Sequence, residues 1–582
     1  MRFFIILLLS ILCGCTGKSA EVIYVSIKEK LLPHYKHVLL DKSKDEQDST
    51  IMVLSSRGNE KGIMGCSFEC IIENNIPISY RIKYKYNDSV VINLDPLLKP
   101  SLAAAQSSNS NLVAYFFNRN AEMVHSDTIA LPQTLEWTEL RGEIKTRDCD
   151  LFTIAIEVQG TSDKVPCVLS IMDLSISELP ETKEKEVCPI QSSSVLTWED
   201  LLSSPLMDKT ILALGETVHG TETFADVAFS LMKERVLHHD CKMLLLELPL
   251  EMTMSLNRYI KNDKNFDKCY EDIRDVLKGT LFSDSILHFI EWVKEYNATH
   301  NNEVSIYGVD FNTNHFYSKV NLCNFIYSLN KESASTTVSL CNAIINIEDK
   351  FKVDDILSMI DADESLKQKL TEIEYNLLLH YFTTWDIRFL RLGMRDDVMA
   401  ATTKKIVSLC DSLNSKVTMY MHSGHVSNNY LDTETAYSFA IFPNTPSMGR
   451  QLKKHFVDDY ASLAITCLRG KTTVFDKDTL KTITLKDVPE SSIEHQMGNN
   501  RYGKSFLQTK DIPANTTYHI RSIENRCSEN PFILRDLQVY CDGIILVEEV
   551  EPNTKSNKFV KDTNIKVIEG LIEINKKLKE LN

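Results

Sequence analysis

The spacing of apolar positions changes character along the chain. Between about 20 and 177, apolar residues come in short runs rich in Val, Ile, Phe and Tyr, several alternating with polar ones, as in Tyr80-Arg81-Ile82-Lys83-Tyr84-Lys85-Tyr86. Asn, Asp, Gly and Ser interrupt them at short intervals. A period of two puts alternate side chains on opposite faces, so this stretch predicts an all-β sandwich. The charged stretch 178–192, with Pro180 and Pro189, reads as a linker. From 193 onward short apolar runs (211–214, 242–248, 303–310, 416–421) alternate with longer segments of helical period (221–239, 250–261, 283–299, 353–370, 370–392, 395–413). That alternation predicts an α/β domain with a largely parallel sheet and helices around it. Thr221 is placed to cap the first of these helices. Strand-like runs return at 461–467 and 543–548, and 563–581 reads as an amphipathic, Lys-rich helix. The predicted architecture is multidomain: a sandwich over 16–177, a linker over 178–192, the α/β domain over 193–550, and a C-terminal linker and helix over 551–582.

In a parallel sheet, ligands collect beyond the carboxyl ends of the strands. Those ends carry the chain's most suggestive chemistry. The run ILALGETVHG (211–220) ends in Glu216 and His219. The second run carries Glu247 near its end, the third ends in Asp310, and the fourth ends in His422, with His425 three residues later. Any one of these has a structural explanation as a cap or a hydrogen-bonded core residue. Four strand ends bearing an acid or a histidine point to a shared site. Such a set suits hydrolysis: a neutral imidazole takes a proton from water, a carboxylate fixes its tautomer, and a further charged or polar group steadies the oxyanion. No Gly-x-Ser-x-Gly segment supplies a serine nucleophile, so water activated by His219 is the simpler route.

The first fifteen residues read as a targeting segment: Arg2, an apolar run over 3–12, then Cys13-Gly14-Cys15. The run is too short to span a bilayer. A small residue before a cysteine at this place resembles a bacterial lipoprotein processing box, which implies cleavage before Cys15, lipidation of its sulfur and a place in the bacterial cell envelope. The formal charge of −16 argues against nucleic acid as a partner. The chain has 15 cysteines but no C-x-x-C pair, so there is no zinc signature. Cys66 and Cys70 are close enough for a local bridge.

Six blocks resemble, in order, the erythromycin esterase family: GETVHGTETF (215–224), LLLELP (244–249), FIEWVKEYN (289–297), YGVD (307–310), MRDDVMA (394–400) and MHSGHV (421–426). The resemblance implies ester hydrolysis by a histidine base with no covalent enzyme nucleophile; no cofactor and no metal are expected on this reading. Carried onto this chain, it implies His219, Glu216, Glu247 and His422 as catalytic residues, with His425, Asp310 and Arg395 at the substrate. The substrate would be a small-molecule ester, a macrolide lactone (hence antibiotic resistance) or an acylated glycan. Two departures stand out. Ser423 replaces the family's usual Asn. The helix after His219 offers Ala228 where members often carry an Arg, leaving Lys233 or Arg235 as substitutes. The segment 136–173 also resembles the last strands of carbohydrate-binding jelly rolls, in which Trp137 is either a sugar-stacking or a buried core residue. Two other readings stay open: a metal-dependent hydrolase using the same Glu/His cluster, and a non-catalytic glycan-binding lipoprotein.

Overall fold

The structure is a computed structural model. It describes strand backbone in parts of 24–177 and side chains from residue 77 in that stretch. It then describes 188–553 and most of 569–580 with gaps, the longest at 386–394, 429–446 and 524–530. The expected leader with Cys15, most of the linker, and the side chains of Cys66 and Cys70 lie outside the described residues. The chain divides into two compact units, one of residues 1–118 and 122–183, the other from 184 onward together with 119–121.

The front unit holds a two-stranded antiparallel sheet, Ser89–Ile92 with Ser101–Ala104, and two larger antiparallel sheets. One runs Thr138–Lys145, Pro77–Tyr86, Cys167–Ser177, Ile51–Ser56, Val38–Asp41. The other runs Met123–Leu131, Asn109–Phe117, Cys149–Gln159, Lys61–Ile72, Leu32–Pro33. The alternation in Pro77–Tyr86 buries Ile78, Tyr80, Ile82, Tyr84 and Tyr86 and leaves the residues between them partly exposed. Ile82, Tyr84 and Leu174 from one sheet share an apolar core with Phe116, Phe152 and Ile154 from the other. Trp137 is not a core residue: it sits half-buried at the edge, with the Lys85 ammonium 4.9 Å from its ring centroid.

The large sheet of the second unit has the order Val195–Thr197, Lys504–Gln508, Gly543–Val550, Tyr460–Asp476, Ile211–Glu216, Lys416–His422, Cys241–Pro249, Ser305–Asp310. The last six run parallel, and the first two form an antiparallel edge. Every residue of the central strand Ile211–Glu216 is buried, so both of its faces are covered, and its run is mostly apolar. Register aligns the ends: Glu216 lies opposite His422, and Pro249 opposite Asp310.

Two helix predictions change. The expected 353–370 helix is two, Val353–Ala362 and Glu364–Lys369, because the Asp363 carboxylate accepts from Leu366 N and starts a new helix. Helix Glu222–His238 begins as expected, but Thr221 makes no side-chain cap. Its first N–H, from Glu222, donates instead to the Glu551 carbonyl at 2.9 Å.

Candidate active site

The turn after the Ile211–Glu216 strand is held by backbone from three directions. Ile523 N donates to Thr217 O (2.8 Å), and His219 N donates to Ile523 O (2.9 Å). Gly220 O accepts from Asn553 N (2.9 Å) and Thr473 N (3.2 Å). Gly220 sits at φ +78°, and a Cβ there would lie 2.1 Å from Thr473 O. Gly220→Ala should therefore destabilise the unit by about 3 kcal/mol, as strained backbone and a clash combine. The measurement is the denaturant midpoint, and a midpoint equal to wild type would contradict it.

This rigid turn aims His219 back at the strand that precedes it. His219 Nδ1 lies 2.6 Å from Glu216 Oε1, with both residues almost wholly buried. An ionised carboxylate only accepts, so Nδ1 carries the proton and Nε2 is the nitrogen left for a substrate or water. The other carboxylate oxygen, Oε2, accepts from Tyr420 Oη.

A second network lies beside the first, centred on Arg395. Its guanidinium clamps Asp310 with two bonds, Nε to Oδ1 at 3.0 Å and Nη2 to Oδ2 at 2.6 Å, and Nη2 reaches Glu247 Oε1 at 2.9 Å. Nη1 lies 3.1 Å from His425 Nε2, and His425 Nδ1 lies 2.6 Å from Asp396 Oδ1. Burial works against the Arg395 charge, but Asp310, Glu247 and Asp396 outweigh it and hold its pKa well above the ordinary value. Burial likewise opposes charge on Glu247, yet His425, Arg395 and His219 and the His422 N–H keep its carboxyl far below the usual range. His425 is shifted upward: the Asp396 and Glu247 carboxylates overcome burial and the neighbouring Arg395.

His422 joins the two networks. Its backbone N–H donates to Glu247 Oε2 at 2.8 Å, and its ring centroid is 4.4 Å from that of His219. Gly424 N donates to His422 Nδ1 at 3.2 Å, so the ring proton sits on Nε2, which is buried with no hydrogen-bond partner among the described residues. Burial first, and the His219 charge second, push the His422 pKa well below its ordinary value. The ring is therefore a neutral, fixed donor.

The structure thus gathers Glu216, His219, Glu247, Asp310, Arg395, His422 and His425 into one connected cluster. It adds two residues the sequence reading did not single out, Tyr420 and Asp396. Asp396 was visible only as a neighbour of Arg395, and Tyr420 only as one apolar-looking residue within a buried run. Most side-chain heteroatoms of the cluster pair with one another, with His422 Nε2 an exception. Among the described residues no three His, Cys, Asp or Glu side chains converge as a metal ion would require.

Residues 355–530 match the family profile described as Erythromycin esterase. A curated relative, the type II erythromycin esterase of Escherichia coli, is 21% identical over 391 residues, which is 59% of this chain and 90% of the relative. These matches support assignment to the erythromycin esterase family. Among solved structures, a Bacillus cereus protein is similar at 17% identity and a TM-score of 0.47, over 62% of this chain and 96% of its own. An erythromycin esterase, EreC, solved as a mutant in its open conformation, is similar at 17% identity and a TM-score of 0.42, over 61% of this chain and 94% of its own.

Within the erythromycin esterase family profile lie Arg395, Asp396, Tyr420, His422 and His425, while Glu216, His219, Glu247 and Asp310 precede it. Neither substitute for the family's Arg on the first helix reaches the cluster. Arg235 is fully buried at the far end of that helix, where Nη1 donates to Val417 O (2.8 Å) and Nη2 to Lys209 O, at the amino ends of the strands. Lys233 stands over the Trp292 ring, 5.3 Å from its centroid. The arginine in the cluster is Arg395, supplied from a different helix.

Proposed function

We propose that the second unit hydrolyses a carboxylic ester, with His219 as general base. Water gives a proton to His219 Nε2 as its oxygen attacks the ester carbonyl carbon. Glu216 holds the imidazole in the required tautomer and stabilises the imidazolium that forms. The unpaired His422 Nε2–H steadies the carbonyl oxygen as it becomes an oxyanion. On collapse of the tetrahedral intermediate, the imidazolium returns its proton to the departing alkoxide, which leaves as the alcohol. Arg395, braced by Asp310 and Glu247, lines the approach and orients the substrate with His425. The observation that carries this reading is the pairing of a histidine whose Nδ1 is engaged by a carboxylate with a neutral, unpartnered histidine N–H one ring away.

The proposal extends to place and substrate. Cys15 would carry the lipid that anchors the chain to a bacterial cell envelope. The substrate would be a small-molecule ester, with macrolide lactones and acylated sugars the first classes to try. A panel of aryl esters, macrolides and acylated sugars, read on wild type, should reveal turnover that a divalent-metal chelator leaves unchanged. Loss on chelation with recovery on adding metal would replace the histidine base by a metal-bound water, and no turnover of any member would sink the hydrolase reading.

A further inference from the structure

We infer that Tyr420 is a positioning residue for this reaction, its phenol holding the Glu216 carboxylate so that the opposite oxygen serves His219. The inference rests on the hydrolase reading and adds to it a residue on a neighbouring strand. Lys416–His422 and Ile211–Glu216 pair in parallel, with Leu214 opposite Tyr420 and Glu216 opposite His422. That register brings Tyr420 Oη to Glu216 Oε2 while Oε1 faces His219 Nδ1. Each carboxylate oxygen then has one donor, and the carboxylate is shut off from solvent.

Tyr420 is itself fixed. It is fully buried, and its ring stands edge-on to Phe229 with centroids 5.7 Å apart. Phe229 in turn stacks on Phe289 at 4.4 Å. A tyrosine placed only to fill the core would not need to aim its hydroxyl at a buried anion. The charged groups around it come from several elements. Glu216 lies on the adjacent strand, Glu247 on the strand on Tyr420's other side, Asp226 on the helix Glu222–His238, and His219 faces the Glu216 carboxylate with the His422 ring beside it. Burial and the three carboxylates push the phenol pKa well above its ordinary value, so it stays a donor at every pH where the protein works.

A donor taken away from an ionised carboxylate leaves a stronger base. An imidazole beside a stronger base holds its proton more firmly. Tyr420→Phe keeps the ring and its packing but removes the donor. Its kcat should fall roughly 10- to 100-fold, the equivalent of one charge-assisted hydrogen bond, with KM within about twofold. The acid limb of its kcat/KM profile should move to higher pH, and in the Glu216→Gln background the same substitution should have little further effect. Isotope-labelled histidine, assigned by the signal lost in His219→Ala, should show the His219 titration moving the same way, a readout that needs no substrate. Difluorotyrosine at position 420, a stronger donor of nearly the same shape, should move both in the opposite direction. An unmoved titration and acid limb in both variants, or full additivity with Glu216→Gln, would overturn the inference. If wild type turns over no ester, the hydrolase reading fails, while the titration still decides whether Tyr420 tunes the Glu216–His219 pair.

Discussion

His219→Ala should lower turnover of any accepted ester by about 1,000-fold or more, while substrate binding changes little. General-base assistance is worth roughly 10²- to 10⁴-fold, and loss of the base also strands the Glu216 carboxylate in a buried site with only Tyr420 to satisfy it. The loss should fall on kcat, since His219 acts on water rather than on the ground-state ester. His219→Asn tests the same point more gently, because its amide can still donate to Glu216 but cannot take a proton at neutral pH. The two variants should be almost equally inactive. Steady-state kinetics on an ester from the panel, with circular dichroism to confirm folding, is the measurement. If His219→Asn kept a tenth of the wild-type rate, the catalytic proton would have to be taken elsewhere, and His425 would become the base to examine.

Much of this site was legible because a parallel sheet turns sequence position into spatial position. A buried strand shows as a short apolar run, and the first polar residue after it marks the carboxyl end. Glu216, His219, Asp310 and His422 were found in that way, and the strand register brings their backbones together. What was not legible came from side chains that leave their own element. Tyr420 sits two residues before His422, so it looks like core until its hydroxyl is seen on Glu216. Arg395 was placed at the substrate by the family resemblance, but its partners were not legible, since Asp396 and Asp397 stand beside it in sequence. In the structure it turns to Asp310 and Glu247, because two buried carboxylates cannot share a site without a cation. The bracing of the turn by Ile523, Thr473 and Asn553 is backbone to backbone over separations of hundreds of residues, and no pattern in side chains records it. Arg235 shows the reverse failure. It is near enough in sequence to stand in for the family's missing Arg, but it lies at the wrong end of the helix and caps carbonyls at the amino ends of the strands.

Glu247→Gln should cost both stability and activity, and the stability loss should depend on pH. The change keeps an acceptor for the His422 N–H but removes the charge that Arg395 and His425 face. Breaking a buried ion pair costs about 3–5 kcal/mol; here Asp310 still holds Arg395, whose side chain is 38% exposed, so about 2 kcal/mol is expected. Glu247 is held far below the ordinary carboxylate pKa in the folded protein. Its contribution to stability is then fully present above the unfolded-state pKa and lost as pH falls toward the folded one. Wild type should exceed the variant most at neutral pH, and the gap should close progressively below about pH 4. Denaturant midpoints at a series of pH values measure this, and a constant gap would mean that the lost interaction is not the Glu247 charge. Activity should fall about 100-fold, because a neutral amide accepts from the His422 N–H more weakly than the carboxylate does, and a small displacement of that ring removes its N–H from the oxyanion. His425, whose pKa Glu247 helps to raise, should titrate at lower pH in the variant, since the removed negative charge no longer favours its cation.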